Sequence, residues 1–152
     1  MPKRFTADAF QPTRWQSAQD KAKFANWLVR FVESGCPAGQ FPQWAYARLI
    51  QTFGFIAHYN RTGFAGTYFQ NAQTRLDFVD QMATCWWANS DVEQAVQAWL
   101  RQNQVVERYR RAADLEREAR ERAVLAALQE KYAGRPPSPE LMPQPAQLSM
   151  LG

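Results

Sequence analysis

The sequence predicts an all-α protein: a small helical bundle, a long charged C-terminal helix and a disordered proline-rich tail. Three observations point there. Apolar residues recur at helical spacing through most of the first hundred residues. From Asp91 to Ala133 the chain holds neither Gly nor Pro. Composition then changes abruptly, and five of the nine prolines fall within residues 136–145, a density suited to an extended, unpacked segment. The expected organisation is a helical domain over 1–106, a charged helical arm over 107–133, and a tail over 134–152 that ends in a short apolar peptide.

Residues 1–16 contain Pro2 and Pro12 and read as an irregular lead-in. The first helix follows in "SAQDKAKFANWLVRFVESG". Ser17 suits the N-cap, Asp20 the positive end of the helix dipole, and Gly35 the C-terminal stop. Phe24, Trp27, Leu28, Phe31 and Val32 then share one apolar face. "CPAGQFP" is a turn-rich break, and Pro42 suits the first turn of a second helix, "PQWAYARLIQTFGFIAHYN". Ala45, Leu49, Phe53 and Ile56 line one stripe of that helix; Arg48, Gln51, Phe55 and His58 line another. Asn60 and Gly63 read as terminating residues, and "RTGFAG" as a break. A third helix is expected from about Thr67 to Trp87, with Phe69, Leu76, Val79 and Met82 inward.

Ser90 with Glu93 makes a capping-box signature. A single helix from Asp91 to Ala133 would reach about 64 Å at 1.5 Å per residue. Val92, Val96, Trp99 and Val106 can pack on a core. "ERYRRAADLEREARER" cannot, and offers instead Glu107–Arg111, Glu116–Arg120 and Glu118–Arg122 as i,i+4 pairs. An apolar stripe returns in "AVLAALQEKY". The arm therefore reads as a projecting helix or one that pairs with a partner.

Composition removes several function classes. The opening residues lead into no apolar stretch of the signal-peptide type, and no run is long enough to span a membrane. A cytoplasmic protein is expected. Cys36 and Cys85 form no metal-binding spacing and read as a reduced pair. With one histidine in the chain, a Cys/His zinc site is not expected, nor is a cofactor. Asp77 and Asp80, three apart on a helix, have the spacing for Mg²⁺ but read better as a solvated face. There is no GxSxG, paired carboxylate, activated nucleophile or phosphate loop. The expected function is non-enzymatic, with a hydrolase dependent on His58 as a third reading.

Charge narrows the remaining classes. The chain carries 14 Arg and 4 Lys and a formal net charge of +4. Residues 91–133 balance eight basic against eight acidic groups, so the excess belongs to residues 1–90, with nine basic and five acidic. Between Glu33 and Asp77 no acidic residue occurs, while nine aromatics do: Phe41, Trp44, Tyr46, Phe53, Phe55, Tyr59, Phe64, Tyr68 and Phe69. Bases stack on aromatic faces and phosphates pair with arginine. Arg48, His58, Tyr59, Asn60, Arg61 and Arg75 are the candidate nucleic-acid-binding residues on that reading. Aromatics at helical spacing also serve as core, and most of these nine are expected to do so.

Two segments resemble known proteins. "FGFIAHYNRTGFAGTYF" is similar to a segment of small uncharacterised proteins of bacterial plasmids and integrated elements; the likeness covers roughly residues 36–70 and implies a bacterial accessory protein with no specific activity. At the C-terminus, "QLSML" resembles the peptide by which bacterial DNA polymerases and repair proteins dock on the replicative sliding clamp. That resemblance implies that Gln147 hydrogen-bonds at the pocket rim, that Leu148 is the second motif residue, and that Met150 and Leu151 fill apolar subsites. Leu151 stands where Phe is frequent. A proline-rich spacer keeps such a peptide extended and lowers the entropy lost on docking.

The leading expectation is thus an interaction protein of bacterial DNA metabolism or a mobile element. It would contact nucleic acid, single-stranded for preference, through a basic aromatic surface and the sliding clamp through its terminal peptide. The alternative is a helical protein-binding adaptor or inhibitor that uses the long helix as its interface or to self-associate.

Overall fold

A computed structural model describes residues 5–55, 60–85 and 90–135. Six α-helices follow in order: α1 (Ala18–Glu33), α2 (Gln43–Phe53), α3 (Arg61–Tyr68), α4 (Ala72–Thr84), α5 (Asp91–Gln102) and α6 (Val105–Lys131). Single 3-10 turns occupy Ala7–Ala9 and Ala38–Gln40. No strand occurs among the described residues, so the all-α class holds. Within them no helix is long and apolar enough to cross a membrane. The chain divides into two compact units, Met1–Glu116 and Arg117–Gly152.

α1 begins and ends where its residues dictate. Ser17 Oγ accepts the Asp20 N–H at 3.1 Å. At the other end Gly35 takes φ +88°, a left-handed conformation in which a Cβ would be strained. The lead-in is drawn onto this helix. Asn26 clamps the backbone of Phe5, giving Nδ2–H to its carbonyl at 2.8 Å and taking its N–H at 3.0 Å. Phe10 is buried.

The next expected boundaries move, each for a local reason. α2 stops at Phe53 because Gly54 turns left-handed, with φ +67°. Asn60 starts a helix where it was expected to end one: its Oδ1 accepts the Gly63 N–H at 2.8 Å, which opens α3 across the predicted break. The single helix expected from Thr67 to Trp87 is interrupted before Asn71. There Asn71 Oδ1 accepts the Thr74 N–H and Thr74 Oγ1 accepts the Asn71 N–H, a reciprocal box that starts α4.

The long helix also divides. Gln104 adopts φ +53°. Asn103 turns both its backbone N–H and its side-chain amide to the Trp99 carbonyl, so an asparagine ends α5 in a stretch without Gly or Pro. The first unit runs to Glu116. Tyr109 donates its hydroxyl to the Val32 carbonyl, Ala113 is buried, and the Glu116 carboxylate accepts the Ala72 N–H at the start of α4. α6 thus spends its first turns on the bundle.

The core is aromatic. Phe64 has no exposed surface, and its ring meets Phe41 at 5.5 Å, Phe55 at 5.4 Å, Phe69 at 5.9 Å and Phe78 at 6.2 Å. The pair with Phe41 is stacked and the other three are edge-to-face, geometries that add to the area term of burial. Gln97 is one of three buried polar residues among those described, with Lys21 and Glu93. Its Nε2 donates to the Met82 carbonyl at 2.9 Å and the Cys85 carbonyl at 2.8 Å, satisfying acceptors at the end of α4 from α5. Phe64→Ala should destabilise the chain by about 3–5 kcal/mol, the usual cost of a large aromatic removed from a core, with loss of the cooperative urea transition as the extreme result.

Candidate functional sites

The acid-free window folds inward. Phe41, Phe53, Phe55, Phe64 and Phe69 are all buried. Their faces pack on one another, so they offer no platform for a base. Trp44 is the one large aromatic of the window exposed among the described residues, and Lys23 Nζ stands 5.1 Å above its ring. The expected basic aromatic surface is therefore mostly core, because large apolar rings gain more from burial than from display.

Its arginines separate by role. Arg61 Nη1 donates to the Phe41 carbonyl at 3.0 Å. Arg75 donates from Nη2 to the Phe69 carbonyl at 3.0 Å and from Nε to the Cys36 carbonyl at 3.4 Å. Both satisfy acceptors in the connections between helices, which is structural work. Asn60 is a helix cap. His58 and Tyr59 lie outside the described residues, as do Gln147, Leu148, Met150 and Leu151. Among the described residues, no three His, Cys, Asp or Glu side chains gather as a metal site. Asp77 instead accepts from Gln73 Nε2 at 3.0 Å.

Cys36 and Cys85 are free thiols, both buried. Burial pushes the Cys36 thiol up to about 12, against the opposing effects of the Tyr109 hydroxyl and Arg75. The same burial, reinforced by Cys36, raises the Tyr109 phenol. A thiol held protonated in this way is a poor nucleophile, and Cys36 belongs to the packing between α1 and α6.

Arg48 opens onto a cavity. A cleft of about 540 Å³ is lined by Arg48, Gln51 and Thr52 of α2, by Thr13, Trp15 and Gln16 of the lead-in, by Lys21, and by Ser90, Val92 and Glu93 at the start of α5. The lead-in wall is ordered by its own turn. Thr13 Oγ1 accepts the Trp15 and Gln16 N–H groups, and Thr13 N–H reaches the Gln16 carbonyl at 2.8 Å. That turn presents Trp15, which is 80% exposed, with the Arg14 guanidinium 5.0 Å from its ring.

Asp91 fastens the cleft together. Its carboxylate takes the Gln11 N–H at 2.8 Å and Lys21 Nζ at 3.0 Å, joining lead-in, α1 and α5. Burial works to raise its pKa, but the bonds from Gln11, Lys21 and Val92 prevail and hold it below the usual aspartate value. Glu93 is the opposite case. It is only 6% exposed, and its Oε2 has no hydrogen-bond partner among the described residues. Burial raises its carboxyl pKa in spite of hydrogen bonds from Ser90. Sequence reasoning placed Ser90 and Glu93 as a cap and missed this second role. The signal that a cap glutamate is also buried in a cleft lies in the approach of Thr13–Gln16, eighty residues away in the chain.

No family model, curated protein or solved structure matches the chain.

Arg75→Ala strips donors from two carbonyls and should cost about 1–3 kcal/mol. Arg48→Ala removes no internal bond and should stay within about 0.5 kcal/mol; urea unfolding of the two variants compares them directly. A pH series isolates Glu93. Its folded pKa is raised, so its contribution is most favourable below the unfolded value and is lost as pH rises through the folded one. Glu93→Gln does not titrate. It should be more stable than the native chain near pH 7, by about 1 kcal/mol, with the difference closing under acid conditions. Asp91, whose contribution runs the other way with pH, is common to both chains and cancels.

Proposed function

We propose that the protein is a helical adaptor that binds a protein partner through the C-terminal half of α6. One observation carries this reading. Val124, Leu125, Leu128 and Tyr132 are between 46% and 59% exposed. Positions 124, 128 and 132 follow one another at four-residue spacing, with 125 three before 128, so the four side chains form one stripe along the helix. Tyr132 stays in the helical register, with its N–H on the Leu128 carbonyl at 3.1 Å. A solvated helix has no need of such a stripe, and the preceding turns show the contrast. There Arg122 grips Glu118 at 2.7 Å and Arg117 lies 3.8 Å from Glu121, exposed pairs of little net worth that keep the surface polar.

Charge indicates the partner's chemistry. Residues 117–135 hold five basic and three acidic groups. Arg120 and Lys131, four before and seven after Val124, fall along the same edge of the stripe. An amphipathic partner helix with acidic flanks would bury the apolar face and pair with that edge, the helix-in-groove mode of recognition. A second copy of the chain would bring its own net positive charge to the same surface, which disfavours self-pairing.

The terminal peptide supplies a second docking element on the same reading. Its support is the resemblance of Gln147, Leu148, Met150 and Leu151 to clamp-docking peptides of bacterial DNA metabolism, and tethering would raise its effective concentration at a shared complex. Nucleic-acid contact by stacking on the window's phenylalanines is not part of the proposal, since those rings are buried.

The test separates the two elements. A partner recovered with the full chain and then purified should bind the Leu125→Asp/Leu128→Asp variant at least about tenfold more weakly, with the melting of the chain unchanged. Purified sliding clamp should bind the full chain and not a chain ending at Ala146. An α6 variant that binds the partner as well as the native chain ends the adaptor reading, and equal clamp binding by both lengths ends the tail's part in it.

A further inference from the structure

The cleft between the lead-in, α2 and the start of α5 brings together a cation and an aromatic ring that the described residues leave unmatched. Arg48 is half-buried, and its guanidinium makes no hydrogen bond or ion pair among those residues. The acids at the start of α5 do not answer it. The Asp91 carboxylate is committed to Gln11, Lys21 and Val92, and Glu93 is buried, with burial opposing its ionisation. Trp15 lines the same space of about 540 Å³. Its indole is 80% exposed, yet the turn that carries it is fixed, because Thr13 Oγ1 accepts the Trp15 and Gln16 N–H groups. The Arg14 guanidinium stands over one face of the ring, 5.0 Å from its centre, and so large an exposure leaves the other face to solvent.

We propose that this cleft binds a nucleotide unit, its base stacked on Trp15 and its phosphate on Arg48. The chemistry of the lining selects that class. A half-buried guanidinium without a partner takes a phosphate through paired charge-assisted hydrogen bonds. An indole held in place by its own turn stacks a base with little ordering left to do. An inorganic anion would use Arg48 and leave the indole bare, and an uncharged aromatic would do the reverse. An aromatic carboxylate would use both but leave the amides of Gln16 and Gln51 idle. Those amides carry the paired donor and acceptor that base edges match, and Thr52 offers a hydroxyl for the sugar. The volume suits a ligand of this size. A free nucleotide and one unit of a single strand present the same base and phosphate, so the site recognises their shared chemistry. Trp15 lies outside the window whose phenylalanines are buried. The cleft is also separate from the α6 stripe, and the adaptor reading stands or falls independently of it.

The probes are the common ribonucleoside monophosphates and the single strands hexaadenylate and hexathymidylate, titrated into the full chain by calorimetry. The nucleosides and ribose phosphate are controls that each lack one half of the ligand. The best probe should bind at least about tenfold more tightly than any control. Trp15→Ala and Arg48→Ala should each weaken that binding by about tenfold, the scale of a lost stacking or charge-assisted contact. Arg48 has no internal partner to lose and Trp15 is exposed, so both variants should melt with the native chain. Trp15→Phe keeps a ring and should recover most of the binding. A strand that binds more tightly than its monomer, and loses that binding in the same two variants, assigns the site to a unit of single-stranded nucleic acid. A strand that binds no better than its monomer assigns it to the free nucleotide. The proposal is overturned if no monophosphate and neither strand binds, if a control matches the best probe, or if either alanine variant binds that probe as well as the native chain does.

Discussion

The ring of Phe64 lies within 6.2 Å, centroid to centroid, of six other aromatic rings: Phe41, Tyr46, Phe55, Tyr68, Phe69 and Phe78. These residues come from three short helices, α2, α3 and α4, and the connections beside them, none long enough to be stable in isolation. Burial of this cluster is the constraint on which the rest depends. It draws α3, only eight residues long, against α2 and α4. It also requires the connections to cross close to the core, where their carbonyls lose water. Arg61 and Arg75 answer that requirement by donating to the carbonyls of Phe41, Phe69 and Cys36.

Arginines near aromatic rings therefore mean different things in one window. Where the rings are inside, a guanidinium within reach becomes a source of hydrogen bonds for the backbone. Where the helix faces a cleft, as at Arg48, the same side chain stays uncommitted. Composition is identical in the two cases, and only the surroundings of each head group separate them. The same holds for the carboxylates at the start of α5. Asp91 meets Gln11 and Lys21 and is held ionised. Glu93, two residues on, is buried with its Oε2 unpartnered among the described residues, and burial raises its carboxyl pKa in spite of hydrogen bonds from Ser90.

α6 serves two purposes along its length. Tyr109, Ala113 and Glu116 belong to the first unit, through a hydroxyl on α1, a buried methyl and a carboxylate at the start of α4. From Arg117 onward the helix carries exposed ion pairs and then an apolar stripe. A helix polar on all sides needs no further explanation. One that turns apolar along a single face at Val124, Leu125, Leu128 and Tyr132 does, and an interface is the account proposed for it.

Much of the architecture was legible in the sequence because it depends on neighbours within a turn. The all-α class followed from helical spacing of apolar residues, the start of α1 from Ser17, its end from Gly35, and the start of α5 from Ser90. The boundaries that moved depend on the same local chemistry: Asn60, read as ending a helix, begins one, Asn71 begins one inside the expected third helix, and Asn103 ends one without help from Gly or Pro. Which role an asparagine takes is decided by the direction in which the core draws the chain. The candidate residues divided in the same way. Arg48, Arg61 and Arg75 were visible in the sequence as candidate binding residues. That two of them would serve the backbone and one a cleft was decided by the tertiary structure. So was the cleft itself, whose walls come from Thr13–Gln16, from α2 and from the start of α5. Sequence determines which side chains carry charge and which must leave water. The packing of segments far apart in the chain decides which charges find partners, as Asp91 does in Gln11 and Lys21.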